Sequence, residues 1–245
     1  MFFFLNNKKY KNQKKIIFSR SIISSLSLSL FDFKNILELH HELKGFSKFF
    51  YNLIRIFKYF DNIKFIIINR NLKKLLNLKQ ALILDDAVDV EQFEKFKNKN
   101  KKFKLTCLYV GSFHKGKGLE QLIELAELCP EIKFHVYGDK KFLPENIKKT
   151  YLKNLKIFDF INYSKIPDLL NQYEVVLMPL QKKNFGRGNI DISNSTSPMK
   201  MFDYLASGKI IIASKLKIYN HILVDRYNCI LVDPENLKEW KKKIY

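Results

Sequence analysis

Cysteine, glycine and proline are scarce in this chain of 245 residues, which holds 3, 8 and 6 of them. The cysteines form no C-x-x-C pair, which argues against a zinc site and a disulfide framework and favours reduced thiols in a cytoplasmic protein. So little glycine and proline, with 47% hydrophobic residues, indicates a globular chain and not a disordered one. After Met1 only four apolar residues precede the first charges, whereas a membrane span needs roughly 20. We therefore expect neither a signal peptide nor a membrane anchor there.

Acidic residues are outnumbered, with 24 Asp and Glu against 44 Lys and Arg, and the formal net charge is +20. Such a surface favours an anionic partner, and nucleic acid, anionic lipid and phosphorylated substrates all meet that condition. The abundance of Lys, Asn, Ile and Phe is also what an AT-rich genome encodes. Nucleic acid is disfavoured, because the aromatic residues lie in core-like runs and do not alternate with basic residues on one strand face.

Apolar runs of strand length alternate with segments of helical period, a pattern that predicts an α/β protein with parallel sheets. A lysine- and asparagine-rich stretch near residues 95–103 predicts two domains, 1–98 and 99–245. The predicted strands cover 14–18, 35–39, 64–68, 81–84, 104–110, 132–137, 155–160, 174–179, 209–214 and 229–232. The main predicted helices cover 47–60, 117–128, 164–172, 198–207 and 235–243. In such sheets ligands bind at the carboxyl ends of the strands.

The stretch YVGSFHKGKGLEQL, residues 109–122, predicts a strand, a glycine-rich turn and a helix. Gly111, Gly116 and Gly118 would let the backbone approach a phosphate, and Lys117 adds a positive charge. The stretch nearly matches the P-loop of NTPases, but Gly118 stands where that motif needs a hydroxyl for magnesium. A phosphate site, a structural turn with a solvated lysine and an NTPase loop all stay open at this point.

The stretch SPMKMFDYLASGKIIIAS, residues 197–214, predicts a second junction with a helix. Ser197 is the expected N-cap, Pro198 the first helical residue and Gly208 the residue that ends the helix. A helix start of this kind can bind an anion through its free amides and its dipole.

Polar residues around that helix start complete the candidate site. The preceding loop, FGRGNIDISNST at 185–196, can wrap a ligand, with Arg187 as a phosphate contact. Lys200 lies near the first turn, and Asp203 lies close to the same face. The carboxylate of Asp203 can accept hydrogen bonds from the paired hydroxyls of a ribose, although a solvated helix residue is the alternative.

Together these segments resemble the donor-binding domain of the glycosyltransferase group 1 family, which are retaining nucleotide-sugar enzymes of GT-B fold. The resemblance rests on the order and spacing of YVGSFHKGKGLEQLIELA, FHVYGD, VVLMPL and TSPMKMFDYLASGKIIIASKL, and it is strongest over residues 104–234. It implies two Rossmann-like domains that transfer a sugar from a nucleoside diphosphate sugar to a glycan or lipid-linked acceptor. It also implies that no further cofactor and no protein-bound metal are required.

The resemblance implies roles for individual residues. Lys117 matches the family's phosphate-binding lysine, and it is expected to stabilise the leaving diphosphate together with backbone amides. Ser112 stands where an arginine commonly partners that lysine. Asp203 matches the family's ribose-binding glutamate and is one methylene shorter. Ser195 stands where the first glutamate of the family's paired motif is expected.

In the first domain, NILELHHE resembles the strand and loop that present the family's active-site histidine. The match falls on His40, whose imidazole is expected to bond the donor near the reacting carbon. His41 and a purely structural polar role remain alternatives. The segment DDAVD, residues 85–89, is a weak candidate for a cation site.

Relatives of this kind begin with a further strand-helix-strand unit and end with helices that return to the first domain. We therefore expect an incomplete first domain, whose sheet edge a partner subunit covers or leaves exposed. The helix at 47–60 carries apolar residues with basic residues between them, so it is expected either to cover the sheet or to lie on the inner face of an anionic membrane. A non-catalytic nucleotide-binding remnant or partner subunit is the alternative to an active enzyme.

Overall fold

The computed structural model describes residues 16–56, 59–95, 105–148 and 151–245. The chain divides into two compact units, Met1–Asp85 and Asp86–Tyr245. The predicted boundary between residues 98 and 99 lies outside the described residues. Phe93, which precedes that boundary, is buried in a hydrophobic core of the second unit.

The first unit contains a parallel sheet whose strand order follows the chain, β1-β2-β3-β4. Its strands are β1 Phe18–Ser19, β2 Asn35–Leu39, β3 Ile63–Ile67 and β4 Leu82–Ile83, and its helices are α1 Ile22–Leu30, α2 Phe46–Ile56 and α3 Arg70–Leu75. Apolar residues at alternate positions of β2 and β3 are buried and form the core with the inner sides of the helices. The predicted strand at 81–84 is real but shorter, since only two of its residues pair with β3.

Helix α2 covers this core with one side only. Tyr51 and Ile54 are buried, and Tyr51 Oη donates a hydrogen bond to the carbonyl of Leu76. Phe46 and Phe49 are exposed on the other side. The predicted helix at 47–60 is thus split, because α2 ends at Ile56 and a 3-10 turn occupies Tyr59–Asn62. Among the described helices, none is both long and apolar enough to cross a bilayer.

The second unit contains a parallel six-stranded sheet in the order β10-β9-β8-β5-β6-β7. Its strands are β5 Thr106–Val110, β6 Lys133–Tyr137, β7 Leu155–Phe158, β8 Val175–Met178, β9 Ile210–Ser214 and β10 Ile230–Val232. Its helices are α4 Glu91–Glu94, α5 Leu119–Leu128, α6 Glu145–Lys148, α7 Ile166–Asn171, α8 Met199–Ser207 and α9 Leu237–Ile244. One apolar cluster packs on each face of the sheet. Both units are Rossmann-like α/β units, as the alternating pattern predicts.

The strand order of this sheet determines where a ligand can bind. From β5 the chain runs outward through β6 and β7, and it then returns to β8 and continues in the opposite direction through β9 to β10. Strands β5 and β8 are therefore neighbours at the point where the order reverses. In open α/β sheets the crevice outside the carboxyl ends of such strands is the usual ligand site.

All three cysteines of the chain lie in this second unit as buried free thiols. Burial raises the pKa of Cys107 to about 12 and that of Cys229 to about 11. Burial also raises the pKa of Cys129. The thiols are consequently protonated at neutral pH, where they are poor nucleophiles.

Candidate functional site

A cavity of about 720 Å³ opens where β5 and β8 end, at the reversal of strand order. This volume suits a ligand of cofactor size. Residues from both junctions singled out in the sequence line it together. They are Gly111, Ser112 and Lys117 from the first junction and Ser197, Pro198, Lys200 and Asp203 from the second. The two junctions therefore face one cavity.

A tyrosine beneath the first loop fixes the loop's shape. Tyr109, on β5, is 1% exposed, and its Oη lies 3.0 Å from the carbonyl of Ser112 and 3.2 Å from that of Lys117. The amide of Gly111 donates to the carbonyl of Tyr137 over 3.0 Å and so extends the pairing of β5 with β6. Because that amide is occupied, a ligand at this loop must use the residues that follow Gly111.

Gly118 has a packing role in the same loop. It adopts φ 96° as the N-cap of α5, and a Cβ there would lie 2.2 Å from the carbonyl oxygen of Pro179. Only glycine tolerates both the left-handed backbone and this close approach. Gly118, which the sequence suggested as a donor contact, is not among the residues that line the cavity.

Lys117 is held beside the cavity in a largely buried position. It is 8% exposed, and its Nζ donates to Asn184 Oδ1 over 3.1 Å. Burial lowers the pKa of Lys117 to about 8. The ammonium group is thus partly desolvated and has one neutral partner, so its attraction to an anion is weakly screened.

The second junction differs from its prediction by one residue. Helix α8 begins at Met199 with Pro198 as the N-cap residue, so Ser197 is not the N-cap and no side chain caps the helix. The extended backbone of Pro198, with ψ 110°, delays the helical turn by one position. The hydroxyl of Ser197 is buried in the cavity wall without a hydrogen-bond partner. Gly208 ends the helix with φ 65°, which confirms that part of the prediction.

Lys200 places a second lysine side chain in the cavity wall. Its Nζ lies 3.9 Å from the centroid of the Tyr109 ring and is buried without a hydrogen-bond partner. A Cβ on Gly111 would lie 2.3 Å from this Nζ, so the glycine leaves the space that the ammonium group occupies. Burial, and secondarily the charge of Lys117, lower the pKa of Lys200 well below its usual value. A buried amine in this state would gain from an anionic ligand.

Tyr204 joins α8 to the end of β5. It is 1% exposed, and its Oη accepts a hydrogen bond from the amide of Val110 over 2.9 Å. Lys200 lies four residues before Tyr204 and therefore on the same face of α8, so the contact between Tyr204 and Val110 also directs Lys200 towards Gly111. The backbone of the first junction thus determines where Lys200 lies.

Asp203 is buried and hydrogen-bonded. It is 6% exposed, and its Oδ1 accepts a hydrogen bond from Tyr163 Oη over 3.0 Å. Burial raises the pKa of Asp203 to about 6, and burial and the neighbouring carboxylate raise the pKa of Tyr163 to about 12. Asp203 is therefore not a solvated helix residue, which was the alternative role in the sequence analysis.

The remaining wall of the cavity is mostly apolar. Tyr137 stacks on Phe158 with ring centroids 4.5 Å apart and an interplanar angle of 12°. Tyr137, Phe142 and Phe160 all line the cavity. This wall can take the flat face of a heterocyclic base, whereas the lysines and α8 can take charge.

Besides Gly118, two more predicted site residues are not among the residues that line the cavity. His40 follows β2 in the first unit, where its Nε2 lies 3.1 Å from Glu38 Oε2. Its proposed contact with the donor stays a prediction. Arg187 begins a 3-10 turn at Arg187–Asn189, and its side chain is outside the described part of the structure.

No three His, Cys, Asp or Glu side chains come together in metal-binding fashion anywhere in the described ranges. Within DDAVD, Asp89 Oδ1 accepts a hydrogen bond from the amide of Glu91 over 3.1 Å. That carboxylate therefore contacts the first residue of α4.

The chain is similar to known proteins in sequence and in fold. A family model described as "Glycosyl transferases group 1" matches residues 90–245. An uncharacterized 41.2 kDa protein in the cps region of Klebsiella pneumoniae is 26% identical over 116 residues, which are 46% of this chain and 32% of that protein.

Solved structures extend the similarity over both units. A glycosyltransferase from Rickettsia africae ESF-5 is 17% identical with a TM-score of 0.69, covering 97% of this chain and 66% of its own. Anabaena HepE in complex with UDP is 13% identical with a TM-score of 0.68, covering 96% of this chain and 69% of its own. TarM is 18% identical with a TM-score of 0.60, covering 89% of this chain and 50% of its own.

The chain spans about a third of the length of its curated relative and between half and about two thirds of these solved chains. At such identities the structural likeness shows the fold, which is two Rossmann-like units of GT-B type. Since the family model covers more than half of the sequence, the chain belongs to the glycosyl transferases group 1 family.

Proposed function

We propose that this chain binds a nucleoside diphosphate sugar and transfers its hexosyl group, with retention, to a glycan or lipid-linked acceptor. One observation carries the proposal: Lys117 and Lys200 line a single cavity at the reversal of strand order. Membership of the family supports it. So do the complexes of Anabaena HepE with UDP and with UDP-glucose.

The diphosphate of such a donor suits the charged end of the cavity. Lys200 and Ser197 each have a buried polar atom without a hydrogen-bond partner, and both lie at the start of α8. An anion there would pair with both atoms and with the positive end of the helix dipole. Desolvated groups of this kind bind an anion more strongly than exposed lysines do.

The same groups would assist the transfer of the sugar. When the bond from the sugar to the diphosphate breaks, negative charge grows on the departing oxygen. Fixed cations beside that oxygen stabilise the transition state more than the bound donor, which is the condition for catalysis. Lys117 and Lys200 are proposed to act in this way, and His40 is proposed to contact the donor near the reacting carbon.

Other observations bear on the acceptor and on where in the cell the protein acts. The relative in the cps region of Klebsiella pneumoniae supports a role in building a surface polysaccharide. Exposed Phe46 and Phe49 on α2, together with the net charge of +20, support a cytoplasmic protein that contacts an anionic membrane. A partner subunit is proposed to cover the edge of the first unit's sheet.

Calorimetry with UDP- and GDP-sugars tests the proposal, with product analysis by chromatography. The wild-type chain is expected to bind at least one donor, and Lys200→Met is expected to lose that binding. Lys115→Met, a change in the same loop at an exposed position, serves as the control and should bind normally. Binding with sugar transfer supports the enzyme, and binding without transfer or hydrolysis supports a non-catalytic subunit. Absence of binding to either donor would overturn the proposal.

A further inference from the structure

A hydrogen-bonded pair that is distant in sequence lies beside the charged end of the cavity. Tyr163 Oη donates to Asp203 Oδ1 over 3.0 Å, and both residues line the cavity. Tyr163 is 47% exposed whereas Asp203 is 6% exposed, so the hydroxyl is the accessible end of the pair. The 3-10 turn at Tyr163–Lys165 holds the tyrosine in place, with Asn162 as its cap.

We propose that Tyr163 is a specificity-determining residue whose hydroxyl, together with the carboxylate of Asp203, binds the two ribose hydroxyls of the nucleotide. This inference rests on the proposed function, because it takes the ligand to be a ribonucleoside diphosphate sugar. It assigns the preference for a ribonucleotide over a deoxynucleotide to a residue outside helix α8.

The order of groups along α8 matches the order of groups in a nucleotide. Lys200 and the helix start mark the place for the diphosphate. Asp203 lies four residues after Met199, which is about 6 Å along the helix axis. The ribose is the unit joined directly to the diphosphate, so a nucleotide bound at the helix start brings its ribose beside Asp203 and Tyr163.

The pair also has the right hydrogen-bonding capacity. Tyr163 donates its hydroxyl hydrogen bond to Asp203, so the tyrosine oxygen can accept a hydrogen bond from a ligand. An ionised carboxylate such as that of Asp203 can accept several hydrogen bonds. Two acceptors side by side suit two hydroxyl donors on neighbouring carbons. The aspartate side chain is short, and the tyrosine oxygen extends the accepting surface into the cavity. A deoxynucleotide would leave one acceptor without its partner, which costs affinity.

Calorimetry with UDP, 2′-deoxy-UDP and 3′-deoxy-UDP, repeated with the guanosine series, measures this preference. The wild-type chain is expected to bind the ribonucleotide about 10-fold or more tightly than at least one deoxy analogue. Tyr163→Phe should weaken ribonucleotide binding by a similar factor and leave binding of that analogue nearly unchanged. Tyr227→Phe, at a tyrosine that is 85% exposed, is the matched control and should keep the wild-type preference.

Two further variants separate a binding role from a structural one. Adding Asp203→Glu to Tyr163→Phe should restore part of the preference, because the longer acid reaches into the space of the missing hydroxyl. Tyr163→Leu, which also removes the hydroxyl, should lower the preference by itself, and it serves if Tyr163→Phe does not fold. Ribonucleotide binding with a wild-type preference in Tyr163→Phe would overturn this inference alone. Absence of any nucleotide binding by the wild-type chain would overturn the proposed function as well.

Discussion

Lys117 and Lys200 line the same cavity, but their surroundings differ. Lys117 comes from the loop after β5 and donates to Asn184 Oδ1. Lys200 comes from α8 and has only the face of the Tyr109 ring against its Nζ. The loop lysine therefore has a hydrogen-bond partner in the free protein, whereas the helix lysine is a desolvated amine whose charged form an anionic ligand would stabilise. Each lysine should contribute differently to stability and to binding.

The largest expected effect is on nucleotide affinity. Lys200→Met should weaken binding of UDP or GDP, whichever binds, by about 100-fold, because its ammonium has no other hydrogen-bond partner to give up. Lys117→Met should cost only about 10-fold, since Lys117 must share its charge with Asn184. Calorimetry on both variants measures the difference. Equal losses in the two variants would show that the contact with Asn184 has no influence on binding.

A second effect concerns the stability of the free protein. Lys200→Met should raise the free energy of unfolding by about 1–3 kcal/mol at pH 7, because it removes a buried amine without a partner. Lys117→Met should raise it less or lower it, because Asn184 then loses its donor. Urea denaturation of the two variants beside the wild-type chain gives the comparison. A Lys200→Met protein less stable than the wild type would contradict it.

The pH dependence of donor affinity should show the titration of the lysines and of Asp203. The pKa of Lys117 is lowered to about 8 and that of Lys200 is lowered well below its usual value, so as pH rises the free protein must take up protons to present both cations, and affinity falls. The pKa of Asp203 is raised to about 6, so below pH 6 it must lose a proton to accept the ribose hydroxyls, and affinity falls as pH drops. The acidic limb, which one carboxylate produces, should approach about tenfold per pH unit.

Calorimetry with UDP-glucose or a GDP-sugar between pH 5 and 9.5 would test this profile, at roughly half-unit steps around the two pKa values. Asp203→Asn should flatten the acidic limb and leave the alkaline limb in place. A profile in which that variant keeps both limbs would assign the acidic limb to another group.

The smallest expected effect is that of Gly111→Ala. The new Cβ would lie 2.3 Å from Nζ of Lys200 and 2.9 Å from Oη of the buried Tyr109, so the flexible lysine end must move away and the tyrosine must shift slightly. The displaced ammonium should lower nucleotide affinity by about 5-fold, a fraction of the loss in Lys200→Met. In Lys200→Met the glycine change should then have almost no further effect. An additive loss in the double variant would mean that Gly111 acts independently of Lys200.

Local patterns predicted the elements of both units well. The strand at 35–39 is found as β2 Asn35–Leu39, because its alternation of buried and half-buried positions is a property of the segment alone. Likewise the glycine at 208 predicted the end of α8. The start of α8 was wrong by one residue, since proline there can precede the helix or open it, and the surrounding loop decides between the two.

Contacts between distant segments could not be predicted in the same way. Tyr163 meets Asp203 across 40 residues, and Tyr204 meets Val110 across 94. Nothing in the sequence around either tyrosine identifies its distant partner. The burial of Asp203, and with it the raised pKa, results from this packing. The sequence therefore predicted which residues line the cavity better than it predicted their charge states.

The three buried thiols make the chain suitable for selective labelling. With Cys107 at a pKa of about 12 and Cys229 at about 11, maleimide dyes at neutral pH should react slowly with the native cysteines. A cysteine introduced on the exposed surface of each unit would then carry a fluorophore or spin label with little background. Such a doubly labelled chain would let spectroscopists measure whether donor binding draws the two units together.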